Sequence, residues 1–410
     1  MTKPTCRHCQ TLLTQPILDL GYAPPSNAYL RAEDLSAPEK HFPLRLRICP
    51  QCRLVQTEDF TRADELFDGD YAYFSSTSAG WMRHAADYVA MITKRLNLGP
   101  QSHVIEIASN DGYLLRNFLP LNIPCLGIEP TASTAAAALA LSVPTLQNFF
   151  GANLGAELAG QGKSADLLIG NNVYAHVPDI NDVTRGMANV LKSEGVITLE
   201  FPHLMQLVQW NQFDTVYHEH FSYFSLAAVA RIFAAHGLRL FDVQELPTHG
   251  GSLRIYGCHQ GASHGDTGAV AAMIAQEAAN GLDTVTRYDS LQRRAEEAKN
   301  GLLRFLLDAK DKGASVAGYG AAAKGNTLLN FAGVRPDLLT FVCDAAASKQ
   351  GKYLPGSHIP ILPPEALRAN RPDYVLILPW NIAREVQTQL ADLADLGTQF
   401  VTAIPEMRIL

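Results

Sequence analysis

Positive charge is in short supply: 33 lysines and arginines stand against 40 acids in 410 residues, a formal net charge of −7. A nucleic-acid binder ordinarily carries a basic face, so that class is set aside. Long apolar runs are missing too. No uninterrupted stretch approaches the roughly 20 residues needed to span a bilayer, and Met1 to Gln10 lacks the apolar core of a secretion signal. With 47% apolar and 18% charged residues, the expectation is a globular cytoplasmic chain with no membrane or nucleic-acid partner. Cysteine is scarce and unevenly spread. Of seven, four sit in two close pairs, and Cys125, Cys258 and Cys343 are scattered through apparent strands. That is a poor disulfide framework and fits reduced thiols. The length allows two or three domains with real cores.

The two cysteine pairs are Cys6-Arg7-His8-Cys9 and Cys49-Pro50-Gln51-Cys52. Each C-x-x-C turn presents two thiolates to one tetrahedral ion, and two turns complete a closed four-thiolate site, which predicts structural zinc at Cys6, Cys9, Cys49 and Cys52. A redox role for either pair is the competing reading. Leu44 to Ile48 alternates as a strand entering the second knuckle should. Pro24 to Leu30 is a proline-stiffened loop that either lines a cleft or merely connects.

Further on, Asp70 to Ser78 is rich in phenols and hydroxyls; Tyr71 and Tyr73 either cap a pocket or pack as ordinary aromatics. A helix is expected from Gly80 to about Leu96, stopped by Gly99-Pro100. His103 to Leu115 reads as strand, tight polar turn and helix, with Gly112 free to take a positive φ. Strands follow at Cys125 to Ile128, Val143 to Phe150, Ala165 to Val173 and Val196 to Phe201. Strand–helix–strand repetition at this spacing predicts α/β architecture with a doubly wound parallel sheet. Ligands of such sheets sit at the carboxyl ends of the strands, where Glu106, Glu129, Asn148 and Asn171 fall. An acid ending the second strand suits the two hydroxyls of a ribose. No G-x-G-x-x-G follows the first strand, so a nucleoside without phosphates fits better than a dinucleotide, and S-adenosylmethionine meets that description.

Tyr217-His218-Glu219-His220-Phe221-Ser222-Tyr223-Phe224-Ser225 concentrates two imidazoles, a carboxylate and two phenols. Histidine is suited to move a proton near neutral pH, with carboxylate and phenol fixing its tautomer. The blander alternative is a polar strand end, and a third is a His218–His220 metal pair, which needs a strand to put both rings on one face. Thr248 to Gly257 looks like a turn into a late strand, where Arg254 either meets a phosphate or sits at the surface. Thr267 to Ala309 has helical character. Ala314 to Thr327 is another strand–turn–helix, matching G-x-G-x-x-A at Gly318, Gly320 and Ala323 with Asp344 about 20 residues on, as a nicotinamide dinucleotide site would need. No partner site for hydride transfer is evident. Asp373 to Leu378 reads as a buried strand, and Pro379-Trp380-Asn381 leads into a final amphipathic helix.

The run Glu106 to Gly112, the run Asn171 to Asp179 and the run Tyr217 to Ser225 together resemble the S-adenosylmethionine-dependent sugar C-methyltransferases, which act on nucleotide-linked 4-keto deoxysugars in antibiotic pathways. The cysteine pairs and the C-terminal segment resemble the same family, so the likeness covers essentially the whole chain. It implies a zinc-binding module at 1–65 and a Rossmann-like class I methyltransferase domain at 66–265. Linker helices at 266–312 and a C-terminal Rossmann-like domain at 313–410 supporting the nucleotide sugar would follow. It implies cofactor contacts from Glu106, Ala108, Asn110, Glu129, Asn148, Asn171 and Asn172. His220 would be the base, Glu219 and Tyr217 would orient it or bind the sugar, and His176 would donate to the keto oxygen. Tyr71 would close the pocket, and Lys324, at a helix N-terminus, would attract the diphosphate beside Arg254. Thymidine diphosphate is the family's usual handle, and a monomer suffices. Ala108 stands where the cofactor loop's first glycine is usual, at the expense of one methyl group. Two other readings stay open: an O- or N-methyltransferase of a small metabolite, and a non-catalytic zinc protein that binds nucleotide sugars.

Overall fold

The computed structural model describes residues 4–13, 16–58 and 74–410; Tyr71, Tyr73 and the expected 65/66 boundary lie outside them. Along the chain, β1 (Leu18–Ala23), β2 (Phe42–Ile48) and β3 (Val55–Thr57) form an antiparallel meander. Then come β4 (Val104–Ile107), β5 (Cys125–Ile128), β6 (Thr145–Leu146), β7 (Ala165–Asn171) and β8 (Leu191–Pro202). They are followed by β9 (Ser222–Tyr223), β10 (Leu238–Leu246) and β11 (Ser252–His259). Last are β12 (Val316–Tyr319), β13 (Val342–Cys343), β14 (Ile361–Leu362), β15 (Tyr374–Ile377), β16 (Gln399–Thr402) and β17 (Arg408–Ile409).

The middle sheet runs β10-β11-β8-β7-β4-β5-β6. Its pairs from β8 to β6 are parallel, and β11 runs against both neighbours. β4 is buried at all four positions and β7 at most of its seven, because helices cover both faces and both must be apolar. One face packs on the helix Ala79–Leu96 and its neighbours, the other on the helices Ile180–Val190 and Leu226–Ala235. Strand order reverses around β4, so the crevice outside β4 and β7 is the topological switch point where such sheets bind ligands. The C-terminal sheet, β14-β13-β12-β15-β16-β17, repeats this plan with β12 at its switch point.

The N-terminal sheet is not self-contained. Its fourth strand is β9, paired with β3. Leu18, Leu44 and Leu46 share a core with Leu291, Leu302 and Leu328 of the later helices, while Cys6, Cys49 and Leu54 pack with the middle domain. The module is therefore a wedge tying both sheets to the segment that contains β9.

Three expectations are corrected. After Gly112 the chain makes two single 3-10 turns, Leu115–Asn117 and Leu119–Leu121, rather than a helix; Pro120 and Pro124 interrupt the hydrogen-bond ladder a helix would need. Tyr217 to His220 is a turn closed by the His220 N–H on the Tyr217 carbonyl (3.0 Å), not a strand. That removes the shared face on which a His218–His220 metal pair depended, and the His218 ring packs edge-on against Phe42 instead. The final amphipathic helix is two short ones, Ala383–Gln389 and Ala391–Asp395.

Candidate active site

The loop after β4 carries left-handed residues at Ala108 (φ 53°), Asn110 (φ 52°) and Gly112 (φ 75°). For alanine this conformation costs about 1–2 kcal/mol of steric strain, so the departure at Ala108 is more than an extra methyl group. Glu129, just past β5, accepts the Asn110 and Thr131 N–H groups, both at 2.9 Å, and so shapes the loop from the neighbouring strand. The Asn110 and Asp111 side chains accept the Ser75 and Ser76 N–H groups at 2.9 and 3.1 Å. Glu106 lies inside β4; burial, then Glu129 and Asp111, push its carboxyl well above the ordinary range.

Several buried polar atoms here find no hydrogen-bond partner among the described residues: both ends of the Asn171 and Asn172 amides, Glu106 Oε2, Ser109 Oγ and Asp111 Oδ1. Buried polar atoms are rarely left so, and a cluster of them at a switch point is what a polar ligand would satisfy. Gly127 of β5 supplies the room, since a Cβ there would stand 2.3 Å from Ser109 Oγ. These features fit S-adenosylmethionine. Asn148 is the outlier, exposed two residues beyond the short β6.

The second half of the site is the Tyr217–His220 turn. The His220 Nδ1 faces the Thr215 carbonyl at 3.2 Å, and Nε2 lies 2.8 Å from the Tyr217 hydroxyl. A carbonyl only accepts, so Nδ1 carries the proton, and Nε2 presents its lone pair to the phenol. Burial, then the adjacent His176, hold His220 well below the ordinary imidazole range, leaving it neutral at pH 7. The His176 ring packs edge-on to His220, centroids 4.6 Å apart, and burial brings it down to about 4. Glu219 has Asn27 as its side-chain partner. Its Oε1 accepts from the Asn27 amide at 3.3 Å, and burial pushes it up to about 7.

Every module holds this turn. Thr327 of the C-terminal domain donates to the Val216 carbonyl (2.8 Å), Thr57 of β3 to the His220 carbonyl (3.1 Å), and the Phe221 N–H to the Ala175 carbonyl (2.8 Å). From Phe213 to Ser225 every residue is buried except Tyr217, which keeps partial exposure, as do His176, His249 and Lys324. Those four form one cluster around His220, with His176 and Tyr217 packed on its ring and His249 and Lys324 near enough to depress its pKa. Trp81 connects the cluster to the cofactor loop, its ring 5.4 Å from His249 and 6.3 Å from Tyr113.

Lys324 is at the start of the helix Ala323–Ala332, bound to Asn381 Oδ1 (2.6 Å), over the Trp380 ring (4.8 Å) and with its pKa lowered by burial. Trp380 in turn donates to Asp214 (2.7 Å), whose carboxyl burial raises to about 6. Arg254 is not available to a phosphate. Its Nε and Nη2 lie 2.7 and 2.5 Å from Glu200 Oε1 on the adjacent strand, deep in the sheet, and His84 takes the other oxygen at 2.8 Å. Burial alone would raise the Glu200 carboxyl, but these partners outweigh it and keep it low.

The dinucleotide signature of the C-terminal sheet is likewise occupied by the protein. The Tyr29 hydroxyl (2.6 Å) and Lys349 Nζ (2.8 Å) both bind the Ala321 carbonyl in the turn after β12, and Lys349 lies 3.5 Å from Asp344. Sequence reasoning did not single out Thr57, Asp214, His249 or Thr327: Thr57 and Thr327 reach the turn from remote parts of the chain, and Asp214, although just before the turn, is tied to the site through the distant Trp380.

At the N-terminus, one ligand atom from each of Cys6, Cys9, Cys49 and Cys52 lies within 4.8 Å of the others. Each knuckle is followed by a left-handed residue, Gln10 (φ 59°) and Arg53 (φ 63°). Gln51 and Cys52 N–H groups point at Cys49 Sγ, both at 3.4 Å. Four converging sulfurs with amides aimed at one of them fit a tetrahedral thiolate site.

Three domain families match this chain in succession: "Putative zinc binding domain" over residues 6–67, "Methyltransferase domain" over 81–243 and "C-methyltransferase C-terminal domain" over 247–405. The chain belongs to the S-adenosylmethionine-dependent C-methyltransferases. Among its relatives is the C-methyltransferase NovU of Streptomyces niveus, 34% identical over 405 residues that cover 99% of this chain and 96% of that one. The O-/N-methylation and non-catalytic readings fall with that assignment. Solved structures overlap less of the chain. The PH0226 protein of Pyrococcus horikoshii is 14% identical, with 49% of this chain and 100% of that one covered and a TM-score of 0.38. Magnesium protoporphyrin IX methyltransferase of Synechocystis, solved with S-adenosylmethionine bound, is 14% identical, with 44% and 80% covered and a TM-score of 0.33. No helix among the described residues is long and apolar enough to cross a membrane.

Proposed function

We propose that this enzyme methylates a carbon next to the ketone of a nucleotide-linked 4-keto deoxysugar. The observation that carries the reading is the neutral His220, its Nδ1 proton fixed by the Thr215 carbonyl and its Nε2 lone pair bound to the partly exposed Tyr217. A heteroatom substrate is already nucleophilic, whereas a carbon beside a ketone must first lose a proton, and that needs a positioned base. On this reading the Tyr217 hydroxyl yields Nε2 to the substrate C–H, the proton passes to Nε2, and the electron pair shifts through the new C=C bond onto the keto oxygen. His176 donates to that oxygen, and Tyr217 hydrogen-bonds the sugar.

Glu106, Asn110, Glu129, Asn171 and Asn172 would hold S-adenosylmethionine, which when bound supplies an electrophilic methyl group. The protein's part is to hold the activated carbon in line with it. Lys324, at a helix N-terminus, supplies positive charge for a diphosphate, thymidine diphosphate being the favoured handle. Zinc on the four cysteines would lock the N-terminal wedge that clamps the catalytic turn. The units are taken as 1–65, 66–265, 266–312 and 313–410, with Tyr71 closing the cleft.

Incubation with carbon-13-labelled methyl donor and dTDP-4-keto-6-deoxyglucose tests this. A product methyl resonance in the range for methyl on carbon is expected. A resonance in the methoxy range, or no product from any 4-keto sugar nucleotide, would reject it.

A further inference from the structure

His249 belongs to none of the motifs that suggested the site, yet the fold gives it unusual treatment. It is a non-glycine residue at φ 56° and ψ 20°, followed by Gly250 (φ 88°) and Gly251 (φ 114°), three left-handed residues in a row. Strain of this kind persists only where the surroundings impose it, and it gathers at functional sites. The surroundings here are explicit. Gly250 has no room for a side chain, since a Cβ would stand 2.4 Å from the Trp380 ring, and at Gly251 it would stand 2.6 Å from Gln206. The Gly250 carbonyl accepts from Gln212 (2.8 Å) and the Gly251 carbonyl from the His203 N–H (3.0 Å). The loop is thus pinned from two domains, and what it holds out is one imidazole.

That imidazole belongs to the partly exposed cluster around His220. It keeps partial exposure, its ring lies against Trp81 on the cofactor side, and the described residues give its nitrogens no hydrogen-bond partner. Its neighbour Gly250 packs on Trp380, which binds Asp214, next in the chain to the Thr215 carbonyl that holds His220. Burial, then Lys324, bring the ring down to about 4, so it is neutral and can donate one N–H without a charge of its own to relocate. A neutral imidazole donor suits an oxygen that gains charge only in the transition state. His176 supplies one donor in the proposed reaction, and stabilising such an oxygen commonly takes two.

We infer that His249 is a further catalytic residue, the second hydrogen-bond donor to the keto oxygen as the adjacent carbon loses its proton. No covalent bond to His249 forms or breaks; the substrate proton goes to His220 and the electron pair to the oxygen that His249 contacts. The inference rests on the proposed keto-sugar reading.

Proton abstraction can be read without methyl transfer, as exchange of deuterium from solvent into the carbon next to the ketone. The probe is dTDP-4-keto-6-deoxyglucose, followed by proton NMR in deuterium oxide with S-adenosylhomocysteine present. His249→Phe keeps a ring against Trp81 and removes both nitrogens. It should slow exchange about 100-fold, the usual effect of losing one oxyanion donor, with cofactor affinity within twofold of wild type by calorimetry. His249→Asn is comfortable at φ 56°, keeps an N–H, and should retain more exchange than His249→Phe. If His249→Phe does not fold, His249→Ala takes its place with the same expectation. Exchange in the Phe or Ala variant within threefold of a wild type that itself exchanges would overturn the role of His249. No exchange in the wild type would overturn the keto-sugar reading, and the inference with it.

Discussion

Thr327 offers a sharp test of what the C-terminal domain does. Its hydroxyl donates to the Val216 carbonyl at 2.8 Å and lies 3.4 Å from Ser26 Oγ, in a buried setting one residue before the catalytic turn begins. Thr327→Val keeps the shape and removes the donor. A hydrogen bond of this kind is worth about 1 kcal/mol net, and a stranded buried carbonyl raises the loss to as much as about 3 kcal/mol. The catalytic effect has a different origin. Val216 leads directly into Tyr217, whose hydroxyl meets His220 at 2.8 Å, and a misplacement of about 1 Å can lower a rate 100-fold. Turnover should therefore fall by roughly 10- to 100-fold, at the upper end if the turn shifts by a full ångström. Cofactor affinity should stay near wild type, because the cofactor loop is built from β4, β5 and the residues around Ser75. Thr327→Ser, which restores the donor, should recover most of the turnover. Steady-state kinetics, calorimetry with S-adenosylmethionine and chemical denaturation separate these effects. A Thr327→Val enzyme that loses stability but keeps full kcat would refute the view that this domain positions the turn.

Two further tests address the rest of the assembly. Burial raises the Glu219 pKa from 4.5 to about 7, so the folded state favours its protonated form. The stability it contributes is present in full below pH 4.5 and is lost as pH rises through 7. Glu219→Gln should match wild type near pH 4 and exceed it by up to about 3 kcal/mol at pH 8; denaturation at the two pH values checks this, and equal gaps at both would count against it. Wild-type protein should carry about one zinc per chain by elemental analysis, the capacity of a single four-thiolate site. Cys49→Ser should lose the metal and most turnover, because β3 pairs with β9 and Thr57 holds His220. Full turnover in the metal-free variant would sever the wedge from the chemistry.

What the sequence disclosed follows from how local each signal is. β5 falls where expected and β4 one residue inside its expected start, because strands buried on both faces are nearly continuous apolar runs. The helix Ala79–Leu96 was legible because Gly99-Pro100 bars its continuation, although the stop itself is Asn97 in the left-handed conformation. The cysteine knuckles were legible because the chemistry is in the spacing itself. The turn at Tyr217 was hidden, since it runs directly into β9 and its conformation is set by Thr327, Thr57 and Ala175. Arg254 misled for a related reason: whether a strand arginine meets solvent or an acid depends on which strand lies beside it, and here that strand carries Glu200. The dinucleotide motif was real as a backbone shape, Gly318 and Gly320 packing against Val342 and Pro379. Tyr29, nearly three hundred residues earlier, occupies its turn, and no local pattern announces such a contact.

The most direct measurement is His220→Ala assayed twice, for methylated product and for S-adenosylmethionine binding by calorimetry. With the base removed and the cofactor loop untouched, turnover should fall to background while cofactor affinity stays within a fewfold of wild type. Product formation at anything near the wild-type rate would take proton abstraction away from His220 and contradict the account.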